Sequence, residues 1–236
     1  MRSPHFPRLV VALLAGIAGV SSACATATAQ TASPVVTADP GEAAAIARAR
    51  ADSIRHPYTE ADVRFMSGMI GHHAQAIVMA GWAPTHGASA SLRTLAALII
   101  NAQQDEIRTM QQWLRDRQQP VPEATPKPMK MMMNGVEQDM LMPGMLAEAQ
   151  MTQLDAAHGP DFDRLFLEFM IQHHTGAVSM VKDLFNSYGA AQDELTFKLA
   201  SDINVDQTTE IARMQRMLAA LILSDTTADH PAASNP

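Results

Sequence analysis

Cysteine and aromatic residues are scarce in this chain, and each scarcity excludes a class of structure. Only one of the 236 residues, Cys24, is a cysteine, so no intrachain disulfide can form. Aromatic residues make up 5% of the chain, whereas hydrophobic residues as a whole make up 47%. The apolar content is therefore mostly Ala, Leu, Ile, Val and Met, which favours helices over sheets.

Concentrated positive charge is also absent. The chain has 17 Lys and Arg against 24 Asp and Glu, which gives a formal net charge of −7. No segment is basic enough to attract a nucleic acid or an anionic membrane surface. We therefore expect neither as a partner, and the sequence does not indicate which proteins the chain contacts.

The N-terminus has the pattern of a secretory leader, predicted to span residues 1–25. Two arginines accompany an apolar core, Leu9–Val20, which is too short for a comfortable membrane span. Cys24 stands where a bacterial lipoprotein signal places its lipidated residue, and ordinary cleavage after Ala29 is the alternative. Both predict export to the periplasm or cell envelope, with a lipid anchor at Cys24 as the only expected membrane contact.

One unusual segment occurs twice. Phe65–Met79 (FMSGMIGHHAQAIVM) and Phe166–Met180 (FLEFMIQHHTGAVSM) share a doubled histidine with methionine on either side, at a constant offset of 101. Gln103–Leu114 and Gln207–Leu218 also match each other, at an offset of 104. Each half is therefore predicted to be a helical hairpin, and two hairpins make a four-helix bundle.

Prolines and the helical period of the apolar residues set the predicted boundaries. The segments that follow the leader are a tether with a short helix (26–57), a duplicated bundle (58–223) and a disordered tail (224–236). Within the bundle, hairpins 58–118 and 161–223 flank a Met-rich crossover, 119–160. The crossover is predicted as a loop with one short helix at 145–157. The predicted fold class is all-α.

The doubled histidines are candidate metal ligands. On a helical wheel Met69 lies between His72 and His73, on the face that must be buried, and the second repeat is arranged in the same way. Thioether sulfur beside imidazole nitrogen suits a soft ion, Cu(I) before other common ions, with Ag(I) as a second candidate. The candidate ligands are Met69, His72, His73, Met79, Met110, Met170, His173, His174, Met180 and Met214.

Polar residues interrupt the apolar face of the second helix of each hairpin. They are Gln103 and Glu106 in the first hairpin and Gln207 and Glu210 in the second. Polar groups on a buried face need partners, and a Glu–His pair is the natural one. We expect the two glutamates to orient imidazoles from behind the metal ligands.

The crossover carries a separate methionine signal. Clustered thioethers in an exported protein indicate a Cu(I) or Ag(I) trap, and a hydrophobic lid on the bundle is the alternative. The methionines are Met129, Met131, Met132, Met133, Met140, Met142 and Met145.

Other methionines and histidines have simpler explanations. Met66 and Met217 are expected to be packing residues. Isolated histidines are expected in solvent-exposed loops; they are His56, His86, His158 and His230.

Three stretches together resemble the domain-of-unknown-function 305 family of exported bacterial proteins. They are the doubled MIxHHxxA segment, Phe162–Met180 and the MPGM of Met142–Met145. The resemblance covers Tyr58–Leu223 and implies a ferritin-like helical bundle. It also implies copper binding through Met and His, as in some members linked to copper or silver resistance. The positions carried over are Met69, His72, His73, Met79, Met170, His173, His174 and Met180.

Three functions remain open. The first is an exported copper-binding protein that sequesters or hands on Cu(I). The second is a structural or interaction bundle, in which Glu106 and Glu210 hold the histidines without a metal. The third, a ferritin-like di-metal oxidase, is disfavoured because such sites use Glu-x-x-His. Met69 and Met170 stand where those glutamates would be, so no catalytic residue is predicted.

Overall fold

Long helices dominate the computed structural model, which describes Gly41, Ala44 and residues 58–126, 128–133 and 135–228. The predicted leader, the possible lipidation site at Cys24 and most of the tether lie outside the described residues. The all-α class is confirmed. From residue 58 onward the described elements are α1 (Glu60–Gly81), α2 (Ala90–Asp116), β1 (Met129–Met133), β2 (Val136–Met140), α3 (Glu148–Ala156), α4 (Pro160–Asn186) and α5 (Glu194–Ala228).

Helix ends follow the capping residues of the sequence. Asp62 N donates to Thr59 Oγ1 at 3.3 Å, and Thr59 N donates back to Asp62 Oδ2 at 2.7 Å, which completes a capping box at the start of α1. Ser89 caps α2 by accepting from Leu92 N. α5 continues past the predicted end at Leu223 to Ala228. The remainder of the predicted tail lies outside the described residues.

The crossover differs from the predicted loop. Its first part contains a two-stranded antiparallel hairpin in which Met129 pairs with Met140 and Met133 with Val136. Gly135 supplies a positive φ of 79° within the connection between the strands, where glycine is favoured. Composition did not reveal these strands because methionine and lysine are weak strand formers. The short helix predicted at 145–157 is present as α3.

Reciprocal hydrogen bonds to two aspartates, Asp62 and Asp163, connect the helical hairpins. Asp62 Oδ1, near the start of α1, accepts from Ala191 N after the end of α4, at 2.7 Å. Asp163 at the start of α4 accepts from Ser89 N after the end of α1, at 3.1 and 3.2 Å. α1 and α4 are therefore antiparallel. Because Asp62 and Asp163 are 101 residues apart, the repeats are related by an approximate two-fold axis.

The core divides into two hydrophobic clusters that follow the same symmetry. One contains Met69, Met110 and Met180 with Trp113, and the other contains Met170, Met214 and Met79 with Phe162. Each cluster thus receives methionines from three of the four long helices, at equivalent sequence positions. The histidine repeats lie between the clusters along α1 and α4. None of the described helices is long and apolar enough to span a membrane.

Candidate metal centre

Four histidines meet where α1 packs against α4. His72 and His73 come from α1 and His173 and His174 from α4, and the exposed fraction of every one is 0%. The ring centroids of His72 and His173 are 3.8 Å apart, whereas those within each pair are 6.3 and 6.2 Å apart. Consecutive helical residues point about 100° apart. The inner histidine of each pair therefore faces the other repeat, and the outer one faces its own hairpin partner.

A glutamate on the neighbouring helix binds each outer histidine. His73 Nε2 donates to Glu106 Oε2 of α2, and His174 Nε2 donates to Glu210 Oε2 of α5, both at 2.6 Å. An ionised carboxylate only accepts, so the ring proton lies on Nε2. In the neutral ring Nδ1 then carries the lone pair, and it is the nitrogen available to a metal ion.

The inner histidine of the first repeat contacts the crossover. His72 Nε2 donates to the carbonyl oxygen of Pro143 at 2.9 Å, which again leaves a lone pair on Nδ1. Burial, followed by the nearby His73, lowers the pKa of His72 from 6.5 to about 3. The ring is therefore neutral at physiological pH, which is the state in which imidazole binds metal ions.

Neither ring nitrogen of His173, the inner histidine of the second repeat, makes a hydrogen bond of normal geometry, although the backbone of His72 lies near the ring. Burial, followed by His72 and His174, holds the pKa of His173 well below 6.5, so this ring is neutral as well. A buried polar atom without a partner costs about 1–3 kcal/mol. Such atoms are rare in folded proteins, and His173 therefore calls for a functional explanation.

Unpartnered polar atoms are concentrated in this one region. Among the described residues they are Nδ1 of His72, His73 and His174, both ring nitrogens of His173, both amide atoms of Gln103, and Oε1 of Gln207. Gln103 and Gln207 precede the two glutamates by one helical turn and share their faces. Every one of these atoms belongs to a residue that the sequence placed in the metal site or beside it.

All six candidate methionines of the helices are buried. Their exposed fractions are 8% for Met180 and 0% for Met69, Met79, Met110, Met170 and Met214. Within the described part of the chain, no three His, Cys, Asp or Glu side chains surround a point that could hold a metal ion. Imidazoles and carboxylates alone thus do not form a ready site. Thioethers one turn from the histidines, such as Met69 and Met170, are the remaining soft donors.

The crossover lies directly over the inner histidines and is anchored differently on each repeat. On α1 the amide of Gln75 donates to Leu146 O at 3.0 Å and accepts from Leu146 N at 2.7 Å. On α4 the equivalent position is Gly176, and a Cβ there would overlap the backbone of Pro143 and come within 2.6 Å of Gly144 Cα. The available sequence signal for this contact was a Gly in place of Gln directly before the Ala that the two repeats share.

The crossover methionines fall into two groups. Met142 packs against the cluster that contains Met69, and Met145 is 5% exposed. Met140 is 38% exposed. The side chains of Met129, Met131, Met132 and Met133 lie outside the described part of the structure. The Met-rich trap therefore stays a prediction.

The expectation that His86 is exposed is wrong. It is 8% exposed, its Nδ1 lies 2.9 Å from Trp82 O, and its Nε2 donates to Asp155 O at 2.8 Å. His158 is exposed, as expected, and its ring stacks on that of His86 with centroids 4.8 Å apart. His86 thus closes the α1–α2 turn onto α3, a contact that no local pattern in the sequence indicated. His56 and His230 lie outside the described residues.

A family model decides the relationship of the chain. The family described as "Domain of unknown function (DUF305)" matches residues 62–218, which contain both histidine repeats and the crossover. The chain belongs to the DUF305 family. This membership confirms the resemblance drawn from the doubled motif. No curated protein matches the chain.

Solved structures with the same fold include further DUF305 proteins. A DUF305 fragment from Deinococcus radiodurans is 29% identical, with a TM-score of 0.57 over 69% of this chain and 98% of that chain. A DUF305 protein from Streptomyces coelicolor, described as secreted, is 26% identical, with a TM-score of 0.58 over 68% and 93%. CopM in its Cu(I)-bound form is 29% identical, with a TM-score of 0.51 over 67% and 96%. CopM is also known in Cu(II)-bound and Ag-bound forms.

Proposed function

We propose that this chain is an exported binding protein for Cu(I), and for Ag(I) by the same ligand chemistry, that sequesters or hands on metal in the cell envelope. The observation that carries the proposal is the buried group of four histidines, in which five ring nitrogens have no protein partner. Hydrogen bonds hold three of these rings in the tautomer that presents Nδ1.

The proposed ligands are imidazole nitrogens of the inner and outer histidines together with thioethers of the flanking methionines. Thioether and neutral imidazole require no thiol deprotonation, so binding tolerates mildly acidic conditions better than a cysteine site does. Glu106 and Glu210 orient His73 and His174 from behind, which raises the basicity of the coordinating nitrogen. We propose the methionines of the β1–β2 hairpin, Met129, Met131, Met132, Met133 and Met140, as a second group of soft ligands.

The comparison with CopM supports the choice of metal. CopM shares the fold at 29–30% identity and is known with Cu(I), Cu(II) and silver bound. The donor set of this chain favours the softer ions of that series, because sulfur and imidazole outnumber free carboxylates around the histidines.

Anaerobic Cu(I) titration against a chromophoric competing chelator tests the proposal. We expect the wild type to bind Cu(I) and the His72/His73/His173/His174→Ala variant to lose most of that affinity. Equal affinity in the two proteins would overturn the proposal. Because four truncations create cavities, circular dichroism and urea unfolding must first show that the variant is folded.

A matched pair of methionines provides a test that preserves packing. Met69 and Met66 are both 0% exposed and belong to the same hydrophobic cluster on α1. Met→Leu nearly conserves volume. Met69→Leu is expected to weaken Cu(I) binding by about tenfold, equivalent to about 1.4 kcal/mol, whereas Met66→Leu leaves it unchanged. If both variants bind as the wild type does, Met69 is not a ligand.

The Glu–His hydrogen bonds also support a second candidate, a structural bundle in which they only set helix register. That function predicts a large loss of stability on Glu106→Gln and no change in melting temperature with metal. Binding to the folded state alone instead raises the melting temperature with metal concentration. Thermal unfolding with and without Ag(I) separates the two candidates.

We propose a binding protein rather than an enzyme. A di-metal oxidase needs bridging carboxylates beside its histidines, whereas Glu106 and Glu210 each hydrogen-bond an imidazole Nε2. Oxygen consumption with Fe(II) by the purified protein would contradict this. Intact mass of the exported protein would distinguish lipidation at Cys24 from cleavage after Ala29.

A further inference from the structure

The histidines and methionines of the proposed site are almost completely shielded from solvent. His72 and His173 are 0% exposed, and the flanking methionines are at most 8% exposed. An ion from solution must therefore pass through some part of the surface to reach them. Two surfaces lie close enough to serve, one beside the crossover and one between α2 and α5.

The first is a groove of about 590 Å³ between α1 and the crossover. Its α1 side is lined by Ser67, Gly68 and Gly71, which have a small side chain or none. Gly68 precedes His72 by four residues, so the floor of the groove adjoins the turn that carries this histidine. We call this space the access groove.

The two ends of the crossover hairpin open into the access groove. Pro128, directly before β1, lines it, and so does Met142, two residues after the end of β2. Both ends of the Met-rich hairpin therefore lie at the edge of the access groove. An ion held by the hairpin would leave it at this edge of the bundle.

Met142 contacts both the access groove and the hydrophobic interior. It is half-buried, lines the groove, and packs against the cluster that contains Met69, Met110 and Met180. The next residue, Pro143, accepts the hydrogen bond from His72. No other groove-lining side chain carries a soft donor atom.

We propose that the access groove is the route by which the soft metal ion enters the bundle, and that Met142 is the transfer ligand that passes it to the buried site. This inference rests on the proposed function. In transfer, a thioether of the hairpin or a solvent ligand is exchanged for Met142 sulfur. Met142 is then exchanged for an interior imidazole or thioether, with no change in oxidation state and no proton released.

The surface between α2 and α5 is the alternative route for the ion. Glu106 and Glu210 side chains are 13% and 20% exposed, and they bind His73 and His174 directly. Asp206 lies near both glutamates, and burial followed by their charges raises its pKa. These are hard oxygen ligands, which exchange poorly with a soft ion such as Cu(I). We therefore favour the thioether side.

Loading and release kinetics test the route. Cu(I), supplied anaerobically as the complex of a weak chromophoric chelator, is mixed with the full mature protein in a stopped-flow instrument, and the loss of the chelator-complex absorption is followed. Release is measured with excess bathocuproine. A transfer ligand changes the barrier but not the end states, so Met142→Leu should slow loading and release by the same factor, about tenfold, with an unchanged Kd.

A second variant blocks the groove without removing a donor. Ser67→Phe places a ring in the groove and is expected to slow both rates similarly. Its matched control is Glu168→Phe at the equivalent position of the second repeat, which does not line this groove. Met151→Leu, on α3, is the control for loss of a thioether. Both controls should behave as the wild type does.

Each remaining outcome overturns the route. Unchanged rates in both groove variants with intact affinity would exclude the groove, and slowing by Asp206→Asn alone would place the route between α2 and α5. A weaker Kd in Met142→Leu with unchanged loading would make Met142 a resident ligand. If the wild type takes up no Cu(I), the proposed function itself fails, which is distinct from all of these results.

Discussion

His72 and His173 occupy equivalent positions in two copies of one motif, yet their surroundings differ. His72 Nε2 donates to Pro143 O at 2.9 Å, whereas neither nitrogen of His173 has a partner. The difference arises because a single crossover covers a two-fold symmetric pair of helices. One chain segment cannot contact both repeats in the same way, so one ring nitrogen of His72 is hydrogen-bonded to the crossover and neither ring nitrogen of His173 is.

The anchoring of the crossover shows the same asymmetry. Gln75 binds the backbone of Leu146 by two hydrogen bonds, and at the equivalent position Gly176 admits the backbone of Pro143 and Gly144. The hydrogen bonds of Gln75 and the space left by Gly176 together fix the position of the crossover. The two copies of the motif are thus similar in sequence, and the difference between Gln75 and Gly176 accompanies their unequal contacts with the crossover.

Filling the space at Gly176 is expected to have the largest effect on the difference between the repeats. Gly176→Ala is expected to lower the free energy of unfolding by about 3 kcal/mol, because its Cβ would meet backbone atoms that have no rotamer to move away. Urea unfolding followed by circular dichroism measures the change. Gly81→Ala is the control, since a Cβ there has nothing within 4 Å. An equal effect of both variants would show that the close approach is not required.

Acid should act on both inner histidines. Between pH 6.5 and about 3 the unfolded chain binds a proton at His72 that the folded chain does not bind, so stability is fully present above pH 6.5 and is lost as the pH falls. The pKa of His173 is lowered in the same direction. At pH 5 the expected loss from His72 is about 2 kcal/mol, and His173 adds to it in the same direction. Urea unfolding from pH 8 to pH 5 of the metal-free protein measures it.

The His72/His173→Leu double variant is the reference for that titration. Without the two imidazoles, the dependence of unfolding free energy on pH between 6.5 and 5 should become shallower. An identical slope in the wild type and in the double variant would show that these two rings are not the source of the acid sensitivity.

The smallest expected effect is the difference in unfolding free energy between single variants of the two inner histidines. His72→Leu removes the donor to Pro143 O, whereas His173→Leu removes two nitrogens that have no partner. In metal-free protein we expect His72→Leu to cost about 1–2 kcal/mol more than His173→Leu. Guanidinium unfolding of both single variants measures the difference. Equal costs would mean that the crossover contact contributes nothing to stability.

The sequence predicted contacts that follow from helix periodicity but not those between unrelated, distant segments of the chain. Contacts between the two glutamates and histidines were expected, because Glu106 and Glu210 interrupt an apolar helix face, but only the fold shows that Glu106 binds His73 and Glu210 binds His174. His86 was misplaced because its partner, Asp155, is distant in sequence and carries no local signal. The strands of the crossover were missed because their pairing is set by the fixed ends of the hairpin rather than by residue propensity.

The sequence by itself determined the helices, the duplication and the candidate soft ligands, because periodicity and a repeated motif are properties of the chain alone. Tertiary structure alone decided that His72 and His173 face each other and that Pro143 accepts a hydrogen bond from only one of the two rings. It also decided that Asp62 and Asp163 each accept from a backbone N–H of the other repeat. The physical reason is that a duplicated sequence is symmetric while the single chain that joins its copies is not, and only the folded molecule shows on which copy that chain comes to rest.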